Sequence, residues 1–178
     1  LGLANAGGDT INSIKAANEF GLTKTMKLAG LLVFINDIHS LGLKTTQGMY
    51  LTDSWYWNRD ADTRAWSRKF FEKVKRMPSS IQAGDYSATL QYLNAVKATG
   101  SDDSDKVLAQ MKKTPVNDIF AKGGFIRGDG RMVHDMYLMQ VKSPDKSVEP
   151  WDYYNVVQTF KGEQAWTTKA ESKCALWK

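Results

Sequence analysis

Three short apolar runs within residues 1–52, separated by stretches of helical period, constrain this chain more than any other feature. Leu1–Ala6 is apolar and is broken by Gly7-Gly8-Asp9-Thr10. Ile11, Ile14 and Ala17, with Ala16 beside them, then share one helical face up to Phe20, and Gly21 stands where a C-cap glycine belongs. Lys27–Val33 reads as a buried strand, Asn36–Thr45 as a short helix with Ile38 and Leu41 inward, and Gly48–Thr52 as another strand. This β-α-β-α-β order predicts a parallel sheet covered by helices, because parallel neighbours need a crossover between them.

Beyond residue 52 the pattern changes. Asp53–Asp62 is polar but rich in aromatic residues, and Asp60 or Asp62 suits the cap of the next helix. In that helix Trp66, Phe70, Phe71 and Val74 share a face, and Met77-Pro78 stops it. A second helix spans Ile81–Thr99, with Tyr86, Leu90, Leu93 and Val96 along one side and Gly100 at its end. A third opens at Ser101-Asp102-Asp103 and closes at Lys112-Lys113-Thr114-Pro115, a charge order that complements the helix dipole. Gly128-Asp129-Gly130 marks a turn after Phe125-Ile126-Arg127. Met132–Lys142 alternates like a strand, and Trp151–Phe160 reads as its hairpin partner across the loop Ser143–Pro150. The tail from Gly162 to Lys178 is polar.

Composition removes several function classes. The longest apolar run, Leu28–Ile35, falls short of the roughly 18–20 residues of a membrane span. No basic leader with a cleavage site is visible, and the chain opens on Leu1, as a processed or truncated chain does. The net charge of +5 comes from scattered lysines and arginines without interleaved aromatics, so no nucleic-acid partner is expected. Cys174 is the sole cysteine, which excludes an intrachain disulfide and a cysteine-based zinc site. His39 and His134 each neighbour an acid (Asp37, Asp135), but no further ligands share their spacing, so neither a metal nor a catalytic role is expected. Asp102-Asp103 reads as a helix start, and no serine lies in a G-x-S-x-G elbow. No cofactor and no enzymatic activity are expected.

Several segments, taken in order, resemble the second half of a type I periplasmic binding protein of the branched-chain amino acid transporter family. They are the strand leading into Gly7-Gly8-Asp9-Thr10 and a helix, then Lys27-Leu28-Ala29-Gly30-Leu31-Leu32-Val33, then Gln47-Gly48-Met49-Tyr50-Leu51-Thr52. Trp66-Ser67-Arg68-Lys69-Phe70-Phe71 with Met77-Pro78, Tyr86-Ser87-Ala88, and the turn from Phe125 to Met132 continue the likeness, which extends to about Trp166. Arg127 and Gly128 depart from it, standing where the family has an aromatic residue and Asp.

The resemblance implies an α/β fold of three-layer αβα lobes with parallel sheets, joined by crossovers, with solute bound between the lobes. It places residues 1–52 in the C-terminal lobe, 53–121 in the N-terminal lobe, and 122–178 back in the C-terminal lobe and a tail. It implies a periplasmic, extracytoplasmic solute-binding component of an ABC transporter that delivers a small-molecule solute to an inner-membrane permease. A ligand-sensing domain of a regulator and an α/β enzyme are the alternative readings. Without the other half, a chain of this kind exposes sheet edges and apolar faces, so it self-associates or pairs with the missing N-terminal half.

Ligands of open α/β sheets bind outside the carboxyl ends of the strands. Asn5, Ala6, Gly7 and Gly8 occupy such a position, where glycine admits close backbone approach; a plain strand–helix turn is the alternative. Leu31, Leu32 and Phe34 end the next strand, as site or as core. The resemblance implies an acid near Leu31 to pair with an amino-acid ammonium, but none occurs before Asp37. A buried ammonium without a counter-charge is costly, which favours an aromatic or apolar carboxylate over an amino acid. Trp55, Tyr56 and Trp57 either stack on a planar ligand or wedge the hinge. By the resemblance, Ile81, Gln82 and Tyr86 begin a helix that lines the cleft, with Gln82 able to bond a carboxylate.

Overall fold

The computed structural model describes residues 1–175 and 177; Leu176 and Lys178, at the end of the polar tail, lie outside the described residues. Along the chain the elements are β1 (Gly2–Leu3), α1 (Gly7–Glu19), β2 (Ala29–Gly30), α2 (Ile35–Leu41), α3 (Leu43–Thr46), β3 (Tyr50–Asp53), α4 (Ala61–Val74), α5 (Ser80–Thr99), α6 (Ser104–Lys113), β4 (Val116–Asn117), β5 (Lys122–Ile126), β6 (Met132–Val133), β7 (Met136–Val141), β8 (Tyr154–Phe160) and α7 (Gly162–Ala165). They form two compact units, Leu1–Ser79 with Tyr137–Thr159 and Ser80–Met136 with Phe160–Lys178. The units part after Ser79, Met136 and Thr159, whereas the lobe boundaries implied by the sequence lie after Thr52 and Ala121. The segment after β3 stays with the first unit because its aromatic side chains pack on Trp151–Tyr154 of that same unit.

In the first unit β1, β2 and β3 run parallel, with Gly2 opposite Ala29 and Ala29 opposite Tyr50. β7 adds antiparallel to β3, pairing Tyr50 with Gln140 and Asp53 with Tyr137, and β8 lies beyond it. Ile14 and Ala17 of α1, Ile38 of α2, and Leu51 and Met139 of the sheet form the core, as their alternation requires. β2 is shorter than the strand expected over Lys27–Val33. Gly30 lies so close to its neighbours that an added Cβ would stand 2.4 Å from Val33 Cγ2 and 2.8 Å from Met49 Cε. Val33 folds back beneath the glycine, and Leu31 and Leu32 leave the sheet, 63% and 50% exposed. The single helix expected over Asn36–Thr45 divides at Gly42, whose φ of +78° no side chain-bearing residue adopts cheaply. α4 is capped by Asp60, which accepts from Thr63 N at 2.9 Å. It buries Thr63 and Ser67 instead of Val74, which is exposed; Trp66 and Phe70 are half-buried.

In the second unit α5 buries Ala83, Ser87 and Ala95, while Tyr86 and Leu93, expected inward, are exposed. Small residues allow closer approach of a neighbouring backbone than the bulky stripe would. Asp103 caps α6 by accepting from Lys106 N at 3.1 Å. β5 and β6 form a hairpin through the expected turn, closed by Arg127 N to Arg131 O at 2.9 Å with Gly130 at φ +87°. The strand expected over Met132–Lys142 breaks at His134-Asp135, so β6 pairs with β5 and β7 with β3. At the break the Asp135 carboxylate accepts from Gly162 N (3.1 Å) and Lys161 Nζ (2.7 Å), which holds the backbone out of the ladder.

Candidate functional site

The carboxyl edge of the parallel strands is where the first unit meets solvent with backbone rather than bulk. The chain after β1 and the chain after β2 leave side by side, because Leu31 N donates to Leu3 O at 3.0 Å. Asn5–Gly8 and Leu31–Phe34 therefore occupy one edge, as the sequence reading required. Gly7-Gly8-Asp9-Thr10, expected as a loop, is the first turn of α1. Asn5 makes that possible: its Oδ1 accepts from Thr10 Oγ1 at 2.9 Å and its Nδ2 donates to Ser13 Oγ at 2.9 Å. Asp9 in the first turn complements the dipole.

Ala6 is the extended N-cap of α1 and Gly7 follows at φ +56°. A Cβ built on Gly7 or Gly8 would meet nothing within 4 Å, so open space lies before the helix N-terminus. Unpaired N–H groups at such an end attract anionic oxygen. Beside it, Leu31 and Leu32 offer exposed apolar surface, and Phe34 is the half-buried N-cap of α2, its N donating to Asp37 Oδ2 at 2.9 Å. The edge thus combines a carboxylate-friendly helix start with an apolar flank.

Tyr56 has another setting. It is 3% exposed, its hydroxyl donates to Asp152 Oδ1 at 3.3 Å, and it accepts from Tyr154 N at 3.3 Å. Burial above all holds its phenol pKa well above the ordinary value. Trp55 and Trp57 are buried as well, and Trp57 Nε1 donates to Trp151 O at 2.8 Å. Tyr56 and Trp57 tie the segment after β3 to Trp151–Tyr154, while Trp55 packs edge-on against Trp66 of α4 with ring centroids 5.8 Å apart. Ile81, Gln82 and Tyr86 begin α5 in the second unit and are all exposed.

Sequence reasoning missed three features of the first unit. Asp53 ends β3 and is buried, an acid at the carboxyl end of the strand beside β2. Tyr154 is buried, its hydroxyl has no partner among the described residues, and burial, then Asp53, Tyr56 and Asp37, push its pKa up. Asn36 Oδ1, in the first turn of α2, is likewise buried without a partner among the described residues. Buried polar atoms in this condition call for a water or a solute group. Asp53 was legible only as part of a polar loop, and Tyr154 arrives from the far end of the chain.

Both histidines pack against aromatic rings. His39 stacks on Trp151 with ring centroids 3.8 Å apart, and its Nδ1 lies 2.7 Å from the Tyr153 hydroxyl. His134 packs edge-on between Phe120 and Trp166 and donates through Nδ1 to Asp135 O at 2.8 Å. Among the described residues no cluster of three or more His, Cys, Asp or Glu is placed to hold a metal, and no helix is long and apolar enough to cross a membrane.

Comparison with known proteins gives a family. The model of the periplasmic binding protein family matches residues 1–147. A crystal structure of a periplasmic binding protein from Burkholderia mallei is 67% identical, with a TM-score of 0.96, over 100% of this chain and 47% of that one. A branched-chain amino acid ABC transporter periplasmic ligand-binding protein from Burkholderia xenovorans is 44% identical, with a TM-score of 0.88, over 98% of this chain and 47% of that one. At 16% identity and a TM-score of 0.76, the leucine-, isoleucine-, valine-, threonine- and alanine-binding protein of Brucella ovis, in its closed conformation, shares the fold; the match covers 94% of this chain and 44% of that one. The chain spans about half the length of the structures it matches. No curated protein matches it.

Proposed function

This chain belongs to the periplasmic binding protein family, and on that premise we propose that it supplies part of an extracytoplasmic receptor that binds a small organic solute and delivers it to an ABC permease. The observation that carries the proposal is the shared carboxyl edge of Asn5–Gly8 and Leu31–Phe34, with open space before Gly7. Solute bound there also contacts the remainder of the receptor, and closure follows because only the closed form makes both sets of contacts. Asn5, Ala6 and Gly7 hold the polar end of the solute against the start of α1, while Leu31, Leu32 and Phe34 line its body. Tyr56 supports the site from within the first unit.

The preferred solute is an aromatic or apolar carboxylate. The loop after β2 offers leucines where an ammonium would need an acid, and the helix start favours a carboxylate. A second reading, an α-amino acid, draws on Asp53 at the end of the neighbouring strand and on the amino-acid specificities for which relatives are named. A thermal-shift screen of the intact receptor against amino acids and aromatic acids separates them. Stabilisation by aromatic acids is the expected result; stabilisation by aliphatic amino acids alone overturns the preference for a carboxylate without an amine.

A further inference from the structure

Gly30 is a glycine for want of space, not for backbone freedom. Its φ lies outside the left-handed region, so its backbone would accept alanine. The obstacle is what surrounds it. A Cβ would stand 2.4 Å from Val33 Cγ2, 3.2 Å from Val33 Cβ and 2.8 Å from Met49 Cε, and both neighbours are buried. They differ in how they can yield. Met49 meets the Cβ with the free end of an unbranched side chain, which can turn aside. Val33 is β-branched and stiff at χ1, and with its own Cβ at 3.2 Å a rotation does not clear the contact. Relief there requires its backbone to move.

That backbone belongs to a short connection held at both ends. Leu31 N donates to Leu3 O at 3.0 Å, which fixes its start to β1. Phe34 is fixed to the first turn of α2: its N donates to Asp37 Oδ2 at 2.9 Å, and its O accepts from Asp37 N at 2.9 Å. Between these anchors Val33 takes the place beneath Gly30, and Leu31 and Leu32 stand off the sheet. Every group that fixes this arrangement belongs to this chain. A methyl on Gly30 displaces Val33, and the two leucines before it move as well, because a close-packed loop anchored at both ends has no slack.

We propose that Gly30 is a positioning residue for the solute site: the absence of a side chain seats Val33, and the seated Val33 sets where Leu31 and Leu32 meet the body of the solute. The proposal rests on the reading that solute binds at this carboxyl edge. Gly30 acts through its neighbours and not by contact, since it is buried behind the leucines.

The test uses the intact receptor, with phenylacetate and L-leucine as probes, one for each reading of the solute. Gly30→Ala is expected to weaken the probe that wild type binds by about tenfold or more in calorimetry. Gly30→Ala/Val33→Ala removes the methyl at 2.4 Å while keeping the new one, and should return affinity to within about threefold of wild type. Val107→Ala, a core truncation on α6 of the second unit, should lower the unfolding midpoint and leave affinity unchanged. A crystal structure of the Gly30→Ala receptor should show Val33 displaced and Leu31 and Leu32 re-laid. Val33 in its original place with Met49 alone turned aside overturns the proposal, and so does a double variant that recovers nothing. An equal loss of affinity in Val107→Ala overturns it too, since the effect would then follow general stability. Should Gly30→Ala fail to fold, the double variant decides, through the same recovery or its absence. A re-laid loop with unchanged probe affinity puts the solute elsewhere: the local geometry stands, but the solute reading falls and the proposal with it. A wild-type receptor that binds neither probe has the same consequence.

Discussion

Replacing Asp152 by Asn tests how the first unit holds its non-local segments together. The carboxylate is 1% exposed and receives four donors: Lys142 Nζ at 2.7 Å and Val148 N at 3.2 Å on Oδ2, Asn58 Nδ2 at 3.1 Å and Tyr56 OH at 3.3 Å on Oδ1. Burial opposes its ionisation, but the hydrogen bonds from Lys142, Val148 and Asn58 outweigh burial and hold its pKa below the ordinary carboxylate value. Asn keeps the shape and one acceptor. It loses a charge-assisted bond, worth about 1.5–3 kcal/mol, and turns an NH2 toward donors. Breaking a fully buried ion pair costs about 3–5 kcal/mol, and the Lys142 side chain retains 15% exposure, so the expected loss is about 3 kcal/mol at neutral pH. The assay is urea unfolding of the intact receptor followed by indole fluorescence, since Trp57 donates to the carbonyl next to Asp152. A group with a depressed folded pKa stabilises above its unfolded pKa, about 3.9, and the effect disappears as pH falls through the folded value. The gap between wild type and Asp152→Asn should therefore be full at neutral pH and close progressively below about pH 4. A loss under about 1 kcal/mol at neutral pH, or a gap that does not narrow in acid, would refute the reasoning.

Three further outcomes follow from the same coordinates. Gly30→Ala would press a Cβ to 2.4 Å from Val33 and 2.8 Å from Met49, so unfolding should show a loss of about 1–3 kcal/mol, whereas Gly8→Ala, with open space, should show little. Burial, with a smaller push from Arg131 and against the pull of Asp135, lowers the His134 pKa. Its contribution is present above about pH 6.5 and lost as pH falls toward the folded value, so His134→Gln should flatten the stability profile between about pH 6.5 and 5. The isolated 178-residue chain exposes Ile81, Tyr86, Tyr92 and Leu93 on α5, and light scattering at micromolar concentration should find it self-associated; a clean monomer would contradict that.

Local chemistry decided everything that a short window of sequence can hold. Gly21 ends its helix in the left-handed region, at φ +71°, as its place after a periodic run required, and Asp60 and Asp103 cap the helices they precede. The alternation of strand and helix in residues 1–52 was enough to specify parallel neighbours, and with them the edge where Asn5–Gly8 and Leu31–Phe34 come together. Those readings succeed because caps, turns and crossovers are governed by residues a few positions apart.

Tertiary packing decided which faces turn inward and where strands stop. α4 and α5 each present a bulky stripe that the sequence pattern favours, yet they bury Thr63 and Ser67, and Ala83 and Ser87; Thr63 is drawn in by its capping box with Asp60, and the small residues of α5 allow close approach of a neighbour. β2 halts after Gly30 because Val33 needs the space beneath it. Tyr56 and Trp57 read from the sequence either as rings for a planar solute or as hinge packing; Trp151 and Asp152, more than ninety positions away, claim their polar atoms and bury them. No local window contains that partner, so the periodicity of a sequence can announce that rings will be used but only the assembled core can say on what.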